Sequence, residues 1–365
     1  MSGAAPARSG PLAGLRVVEF VSIGPGPHCA MLLADLGAEV LRIDREGGNG
    51  WPNPVVDRGR AAVTVNIRSE AGQAYCLDVA DHADVVIEGF RPGVMERLGL
   101  GPDVLLARNP RLVFGRITGW GQTGPLAQAA GHDINYIALT GALAAMGRPG
   151  EPAMPPLNLV GDFGGGSMLL AFGIMAALWE RDRSGKGRVI DAAIVDGVSS
   201  LMTMFAGLVP SGRISIERET NMLSGAAPFY RCYICADGRE VAVGPIEPHF
   251  YRELLERISA PARLFEERAD TARWPEHSAE LAAIFAMRTA AEWTALLEGT
   301  DACFAPVVPL QEAAAHPHMA ERGVYGAHEG LEQISPVPRF SRTPGEIGPV
   351  RDAAEMVAGW RRRDR

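Results

Sequence analysis

One histidine and two aspartates within residues 131–167 can move protons. His132 and Asp133 are adjacent, and Asp162 and Phe163 directly precede three glycines at 164–166. A histidine and a carboxylate can remove a proton from carbon and return one, because burial and neighbouring groups can bring the pKa of each toward neutrality. A glycine-rich helix start also offers backbone N–H groups to an anion. Spacing alone, however, favours a core histidine with one hydrogen bond for His132 and a helix-capping role for Asp162.

The elements that must position these residues alternate between strand and helix. Strands are predicted over 17–20, 39–43, 62–66, 84–88, 112–118 and 189–192, and helices over 28–36, 69–81 and 167–181. This alternation is typical of βαβ units and predicts an α/β fold with a parallel sheet. In such sheets, ligands bind at the loops that follow the carboxyl ends of the strands.

Four arginines follow the ends of these predicted strands. They are Arg45, Arg68, Arg91 and Arg97. Since a guanidinium matches the geometry of phosphate, the set predicts a ligand that carries phosphate. A place on the solvated surface would account for any single one of these arginines. It accounts less well for all four at the ends of strands.

The loop after the first strand imitates a dinucleotide-binding fingerprint. Gly24 and Gly26 are spaced as in that motif, and Asp44 supplies an acidic residue twenty positions after the first glycine. The third glycine, however, is replaced by Cys29, and two prolines remove backbone donors that a pyrophosphate would need. The loop therefore does not favour a nicotinamide cofactor.

A length of 365 residues predicts two domains. From residue 226 the pattern changes to a β-hairpin followed by helices, which predicts a smaller α+β domain. The predicted organisation is a disordered tail over 1–10, a large domain over 11–200, a linker over 201–225, the small domain over 226–305 and a second linker over 306–330.

Composition argues against several classes of partner. The net charge is −8 and the basic residues are dispersed, so no nucleic-acid partner is expected. The apolar run 168–179 is shorter than the roughly 20 residues that span a bilayer, so we expect a buried helix and no membrane partner.

The cysteines point to a reducing compartment. There are five, an odd number, and they are spread along the chain, which predicts a cytoplasmic protein without a disulfide framework. Cys232 and Cys235 have CxxC spacing, but no second pair follows, and on the predicted strand they would face opposite sides. No metal site is expected.

Eight segments together resemble the family III CoA-transferase superfamily and, within it, the α-methylacyl-CoA racemase branch. They are GHDINY (131–136), NLVGDFGGGS (158–167), LAGLRVVEF (12–20), DLGAEVLRID (35–44), IEGFRPGVMERLGLG (87–101), GWGQTGP (119–125), SGKGRVIDAAIVDG (184–197) and ADGREVAVGPIEP (236–248). The resemblance covers nearly the whole chain. Cys29 departs from the alanine expected at its position, and we expect a small buried side chain there.

The resemblance implies a fold and an assembly. The large domain would be Rossmann-like and completed by residues 330–365, and two chains would interlock as a homodimer. The substrate would be a 2-methyl-branched acyl-CoA thioester, with CoA as part of the substrate and no separate cofactor.

The resemblance also implies residue roles. His132 and Asp162 would be the two acid/base residues on opposite faces of the α-carbon. Glu247 of the partner chain would hydrogen-bond His132, and Asp133 would offer its backbone amide to the enolate oxygen. CoA would be held by Arg45, Ile67, Arg68, Ser69, Glu70, Gly89, Phe90, Arg91, Arg97, Gly131, Ile134, Asn135 and Tyr136.

Two alternatives remain at this point. In a CoA-transferase of the same fold, Asp133 would be the nucleophile that forms an acyl anhydride. In a non-catalytic acyl-CoA binding protein, none of His132, Asp162 and Glu247 would be needed. His132 favours the racemase, because transferases of this fold usually have an aromatic or other residue at that position.

Overall fold

A computed structural model describes residues 9–48 and 50–363, so residues 1–8 of the predicted disordered tail lie outside the described residues. The chain divides into two compact units. The first comprises the chain up to Ala142, Pro155–Thr203 and the chain from Gly323 onward. The second comprises Leu143–Met154 and Met204–Arg322.

The first unit is built on a six-stranded sheet with the strand order β3-β2-β1-β4-β5-β6. Every neighbouring pair of its strands is parallel, which confirms the predicted α/β fold class. The strands are β1 (Arg16–Phe20), β2 (Glu39–Asp44), β3 (Ala61–Thr64), β4 (Val85–Glu88), β5 (Val113–Thr118) and β6 (Arg188–Ala193). The helices are α1 (Pro25–Asp35), α2 (Glu70–Asp81), α3 (Val94–Arg97), α4 (Pro102–Arg108), α5 (Asp133–Leu139), α6 (Leu169–Ser184) and α7 (Ile194–Leu201).

The two central strands of this sheet are buried on both faces. Val17, Val18, Val85 and Val86 are inaccessible to solvent, as expected for a parallel sheet covered by helices on each side. Helix α1 begins three residues earlier than predicted, at Pro25. Prolines are tolerated there because the first N–H groups of a helix have no partner within it.

Helix α6 is the longer part of a continuous helical segment. Ten residues of π-helix, Leu159–Met168, precede it, and the combined segment Leu159–Ser184 is long and apolar enough to cross a membrane. The α-helical part, Leu169–Ser184, lies close to the helix predicted over 167–181, but the expected burial is wrong, because Phe172 and Trp179 are exposed. A single segment of this kind is a weak indication of membrane insertion, since core helices of soluble proteins meet the same criteria.

The second unit contains a three-stranded antiparallel sheet with the order β7-β8-β9. Its strands are β7 (Arg231–Ile234), β8 (Glu240–Val243) and β9 (Phe304–Pro306), and its helices are α8 (Thr203–Leu208), α9 (Pro248–Arg257), α10 (Arg263–Glu266), α11 (Trp274–Phe285), α12 (Ala290–Leu297), α13 (Leu310–Ala313) and α14 (Pro317–Glu321). Its core is centred on Trp293, Tyr251 and Phe285.

The unit boundaries differ from the predicted domain boundaries. Residues 143–154, placed in the large domain by sequence, and residues 204–225, placed in a linker, belong to the second unit. The predicted second linker contains α13 and α14. Its prolines suggested irregular structure, but Pro309 and Pro317 lie at helix starts, where proline is tolerated.

The last part of the chain returns to the first unit. It forms the hairpin β10 (Tyr325–His328) and β11 (Leu331–Ile334) and the helix α15 (Ala353–Arg363). Trp360 is buried, and its indole N–H donates to Glu39 at 2.6 Å. Met356 and Val357 pack in the same core as the strands.

Candidate active site

His132 and Asp133 lie at the start of α5. His132 is the residue that caps this helix, and its backbone N–H donates to Oδ1 of Asn135 at 3.0 Å. The side chain of Asn135 is thereby committed to the helix start. His132 is exposed, so its interpretation as a core histidine is wrong.

Asp162 lies inside the π-helical segment, three residues after its first residue, Leu159. It is therefore not a helix cap, which was the other structural explanation drawn from spacing. A π-helix is rare and frequently marks a functional site. The glycine run permits close packing against α7, since a Cβ on Gly165 would lie 2.5 Å from Cγ2 of Val198.

The carboxylate of Asp133 joins these two segments. Its Oδ2 accepts the backbone N–H of Asp162 at 2.6 Å, and the carboxyl group is also hydrogen-bonded by the backbone of Gly161. A Cβ on Gly161 would lie 2.1 Å from this oxygen, so only glycine leaves room for it. The start of α5, which carries His132, is thus fixed to the turn that carries Asp162.

Burial and a neighbouring charge act on Asp162. Burial raises the pKa of Asp162, and the negative charge of Asp133 raises it further, to about 6. The side chain of Asn158 and the charge of His132 oppose this rise. Burial also raises the pKa of Asp133, against the hydrogen bonds from Asp162 and Gly161. Asp162 can therefore take either protonation state near neutral pH.

Helix α1 forms a wall beside Asp162 that was not predicted from the sequence. A Cβ on Gly24 would lie 2.9 Å from Oδ2 of Asp162. The ring of His28 stacks on Phe163 with centroids 4.3 Å apart, and its Nδ1 lies 2.7 Å from Oγ of Ser167. Burial lowers the pKa of His28, and the charge of Arg58 lowers it further, so its ring is neutral.

One signal in the sequence could have indicated this wall. The segment 22–28 follows the carboxyl end of the first strand, where ligands bind in parallel sheets. Its glycines, however, suggest only a dinucleotide-binding loop. The pairing of His28 with Ser167 joins residues 139 positions apart, which local patterns do not report.

The residues expected to bind CoA follow β2, β3 and β4 at one edge of the sheet. Arg45 comes directly after β2, Ser69 caps α2 by accepting from Gly72 at 3.1 Å, and Arg68 and Arg91 are exposed. This edge therefore carries most of the residues expected to bind CoA: Arg45, Ile67, Arg68, Ser69, Glu70, Gly89, Phe90, Arg91 and Arg97. The remaining members, Gly131, Ile134, Asn135 and Tyr136, lie at the start of α5.

Tyr136 and Gly131 are held together in this second group. The hydroxyl of Tyr136 donates to the carbonyl oxygen of Gly131. The ring of Tyr136 also meets Trp120 edge to face, with centroids 4.8 Å apart. Gly131, the residue before His132, is therefore held against Tyr136, whereas residues 123–126 and 128–130 of the preceding loop are exposed.

Glu247 belongs to the second unit. It is exposed and caps α9, and its carbonyl oxygen accepts the N–H of Tyr251 at 3.0 Å. Its expected hydrogen bond to His132 of another chain stays a prediction. Among the described residues, no group of three or more His, Cys, Asp or Glu side chains is placed to hold a metal.

Most of the chain, and not the site alone, matches a known family. CoA-transferase family III matches residues 12–351, and the chain belongs to this family. Among its curated relatives, α-methylacyl-CoA racemase of Mus musculus is 43% identical, with 93% of this chain and 89% of the relative covered. The racemase of Homo sapiens is 42% identical, with 91% and 90% covered.

Solved structures show the same fold. A CAIB/BAIF family protein from Brucella suis superposes with a TM-score of 0.80 at 26% sequence identity. The match covers 98% of this chain and 100% of that one. The fold is therefore that of the family III CoA-transferases.

Proposed function

We propose that this chain is a racemase that interconverts (2R)- and (2S)-2-methylacyl-CoA thioesters. The observation that carries the proposal is the arrangement of the two aspartates. Asp162 has a half-buried carboxyl group whose pKa is raised to about 6, while the carboxylate of Asp133 is committed to the backbone of the Asp162 turn. The relatives that are 42% and 43% identical are named α-methylacyl-CoA racemase, which agrees with this assignment.

The reaction needs two groups that exchange protons with one carbon. In one direction, neutral His132 takes the α-proton, and the electron pair of the C–H bond moves into the thioester to form an enolate. Protonated Asp162 then gives its proton to the opposite face. The products of that step, protonated His132 and ionised Asp162, are the starting state for the reverse direction.

The enolate oxygen requires a hydrogen-bond donor that stabilises its negative charge. Asp133 is the first residue of α5, so its N–H has no helical carbonyl partner and lies at the positive end of the helix. By analogy with other oxyanion-stabilising amides, such a donor contributes about 3 kcal/mol. Asp133 would thus act through its amide, with its carboxylate holding Asp162 in place.

The CoA part of the substrate would be held at the edge of the sheet that carries Arg45, Arg68, Arg91 and Arg97. Guanidinium groups suit its phosphates. Binding energy from this remote part can hold the reacting carbon between the two bases. CoA enters as part of the substrate, and we propose no further cofactor.

The contacts of Asp133 also bear on the transferase alternative. A nucleophilic carboxylate must approach the thioester carbonyl. Oδ2 of Asp133 instead accepts the N–H of Asp162 and lies where only a glycine at 161 can pack. This arrangement favours the racemase over a transferase that uses Asp133 as the nucleophile.

A homodimer is part of the proposal. One face of the segment that ends in α6 carries four exposed apolar side chains. They are Met168, Phe172, Met175 and Trp179, with exposed fractions of 52%, 72%, 40% and 69%. An apolar face of this kind usually meets another protein surface. We propose that a second copy of the chain covers it, in the cytoplasm, which the dispersed cysteines favour.

Proton exchange in D2O tests the proposal. The protein is incubated with (2R)-2-methylacyl-CoA in D2O without an acceptor acid, and the α-proton is followed by NMR. Exchange with loss of stereochemistry is expected. CoA transfer that requires an added acceptor acid, without exchange, would replace the racemase by the transferase. Binding without either reaction would leave a non-catalytic acyl-CoA binding protein.

A further inference from the structure

A group of three charged side chains lies beneath the loop 89–93 and is not used by the proposed mechanism. Glu88, the last residue of β4, is inaccessible to solvent, and Arg116 lies opposite it on β5 with only 6% exposed. Nε of Arg116 donates to Glu88 at 2.8 Å. Its Nη1 donates to Glu96 of α3 at 2.7 Å. One guanidinium therefore joins the sheet to this helix.

The two glutamates also fix the backbone of the loop. Oε2 of Glu88 accepts the N–H of Phe90 at 2.7 Å. Glu96 is hydrogen-bonded by the backbone of Gly93, which has a φ of 82°. The ring of Phe90 meets Phe20 of β1 edge to face at 6.4 Å. Both ends of the loop are thus tied to the triad of Glu88, Arg116 and Glu96.

Burying this triad is costly. Burial raises the pKa of Glu88, against the hydrogen bonds from Phe90 and Arg116. A buried ion pair seldom stabilises a fold more than apolar residues of similar volume would, so stability alone is a poor reason for this arrangement. What the triad does supply is a fixed geometry for the backbone above it.

We infer that Arg116 is a positioning residue for the CoA part of the substrate, acting through Glu88 and Glu96 on the loop 89–93 and on α3. This inference rests on the proposed function, because that loop and helix carry Phe90, Arg91 and Arg97.

Glu96→Ala is the most informative variant. The side chain of Glu96 is 43% exposed, so its removal leaves the buried pair of Glu88 and Arg116 intact and the fold is expected to survive. Arg116→Met removes the whole link but leaves Glu88 buried without its partner, which strongly destabilises such sites. The two variants therefore separate loop positioning from loss of stability.

Two readouts distinguish positioning from stability. Calorimetric titration with CoA is expected to show about tenfold weaker binding for Glu96→Ala, a loss of about 1.4 kcal/mol. The KM for 2-methylacyl-CoA is expected to rise with it, while kcat changes little. Exchange of the matching N-acetylcysteamine thioester, which lacks the nucleotide, is expected to be unchanged.

Arg108→Met is the matched control. Arg108 ends α4 and pairs with Asp81 at the end of α2, two helices that lead back to the opposite edge of the sheet. Its loss removes an Arg–carboxylate pair from the same unit, and CoA affinity is expected to stay within about twofold of the wild type.

The outcomes separate this inference from the proposed function. A lower melting temperature for Glu96→Ala with unchanged CoA affinity would assign the triad to stability and overturn the inference. Equal losses for CoA and for the short thioester would also overturn it. If the wild type binds CoA without α-proton exchange, the proposed function fails, and weaker CoA binding by Glu96→Ala still supports the inference.

Discussion

At the scale of residues, the two aspartates of the site have different tasks because their surroundings differ. Asp162 is desolvated and faces a like charge, and both effects favour its protonated form. Asp133 accepts backbone hydrogen bonds, which hold its carboxylate in place. Because the two carboxylates lie close together, the charge of Asp133 helps to keep Asp162 protonated.

Replacing Asp133 by asparagine tests this explanation. Asp133→Asn keeps an oxygen that can accept the N–H of Asp162 but removes the negative charge, so the pKa of Asp162 is expected to fall below about 6. It should stay above the ordinary aspartate value of about 3.9, because burial is the larger cause. The measurement is a ¹³C NMR titration of the Asp162 carboxyl group. An unchanged midpoint would show that the charge of Asp133 does not act on Asp162.

At the scale of elements, the π-helical segment brings the acid/base residues together. It carries Asp162, packs on α7 through Gly165 and Gly197, and meets α5 through Gly161. Each of these approaches is possible only because a side chain is missing. The glycines therefore determine the geometry of the site.

Gly161→Ala is expected to displace the carboxylate of Asp133 and, with it, the turn that carries Asp162. Since the added Cβ would lie 2.1 Å from Oδ2 of Asp133, a shift is unavoidable, and a loss of about 100-fold in kcat is expected for a misplacement near 1 Å. Steady-state kinetics measure it. Gly207→Ala is the control, because nothing lies within 4 Å of the added Cβ there. Similar kinetics for both variants would contradict this account.

The elements of the first unit were predictable where a pattern is local and repeated. The strands β1, β2, β4 and β5 are buried apolar runs separated by helices, and sequence located each of them. In the second unit, the short strand β9 was missed because three residues carry no periodicity. The π-helix was missed as well, since a run of glycines reads as a loop until its packing partner, α7, is known.

The site was predictable only in part for a similar reason. His132, Asp133 and Asp162 belong to distinctive segments, so their chemistry could be anticipated. The contacts of Asp162 with Gly24, of Phe163 with His28 and of Asp133 with Gly161 join distant parts of the chain. Such contacts follow from the sheet order, which local sequence does not specify.

At the scale of the whole molecule, the proposed dimer has two consequences. It would cover the apolar face of the α6 segment, and it would bring Glu247 of one chain to His132 of the other. Burying a phenylalanine and a tryptophan contributes about 1.5–3 kcal/mol or more for each. Loss of these contacts should therefore show in the assembly state.

The double variant Phe172→Glu and Trp179→Glu is expected to be a monomer, because two charges would replace the most exposed apolar side chains of that face. Light scattering coupled to size exclusion should give a mass near 38.9 kDa for it and twice that for the wild type. Met287→Glu is the control, since Met287 is 69% exposed and lies outside the α6 face. A monomeric wild type would contradict the proposed dimer.

The central claim, that His132 and Asp162 act on opposite faces of one carbon, is tested most directly by Asp162→Asn with each epimer of 2-methylacyl-CoA in D2O. Asparagine keeps the shape of the side chain but cannot supply or accept the proton. We expect NMR to show deuterium entering one epimer with retention of configuration, through His132 alone, and no inversion of either. Inversion at an undiminished rate, or exchange of both epimers, would contradict the two-base account.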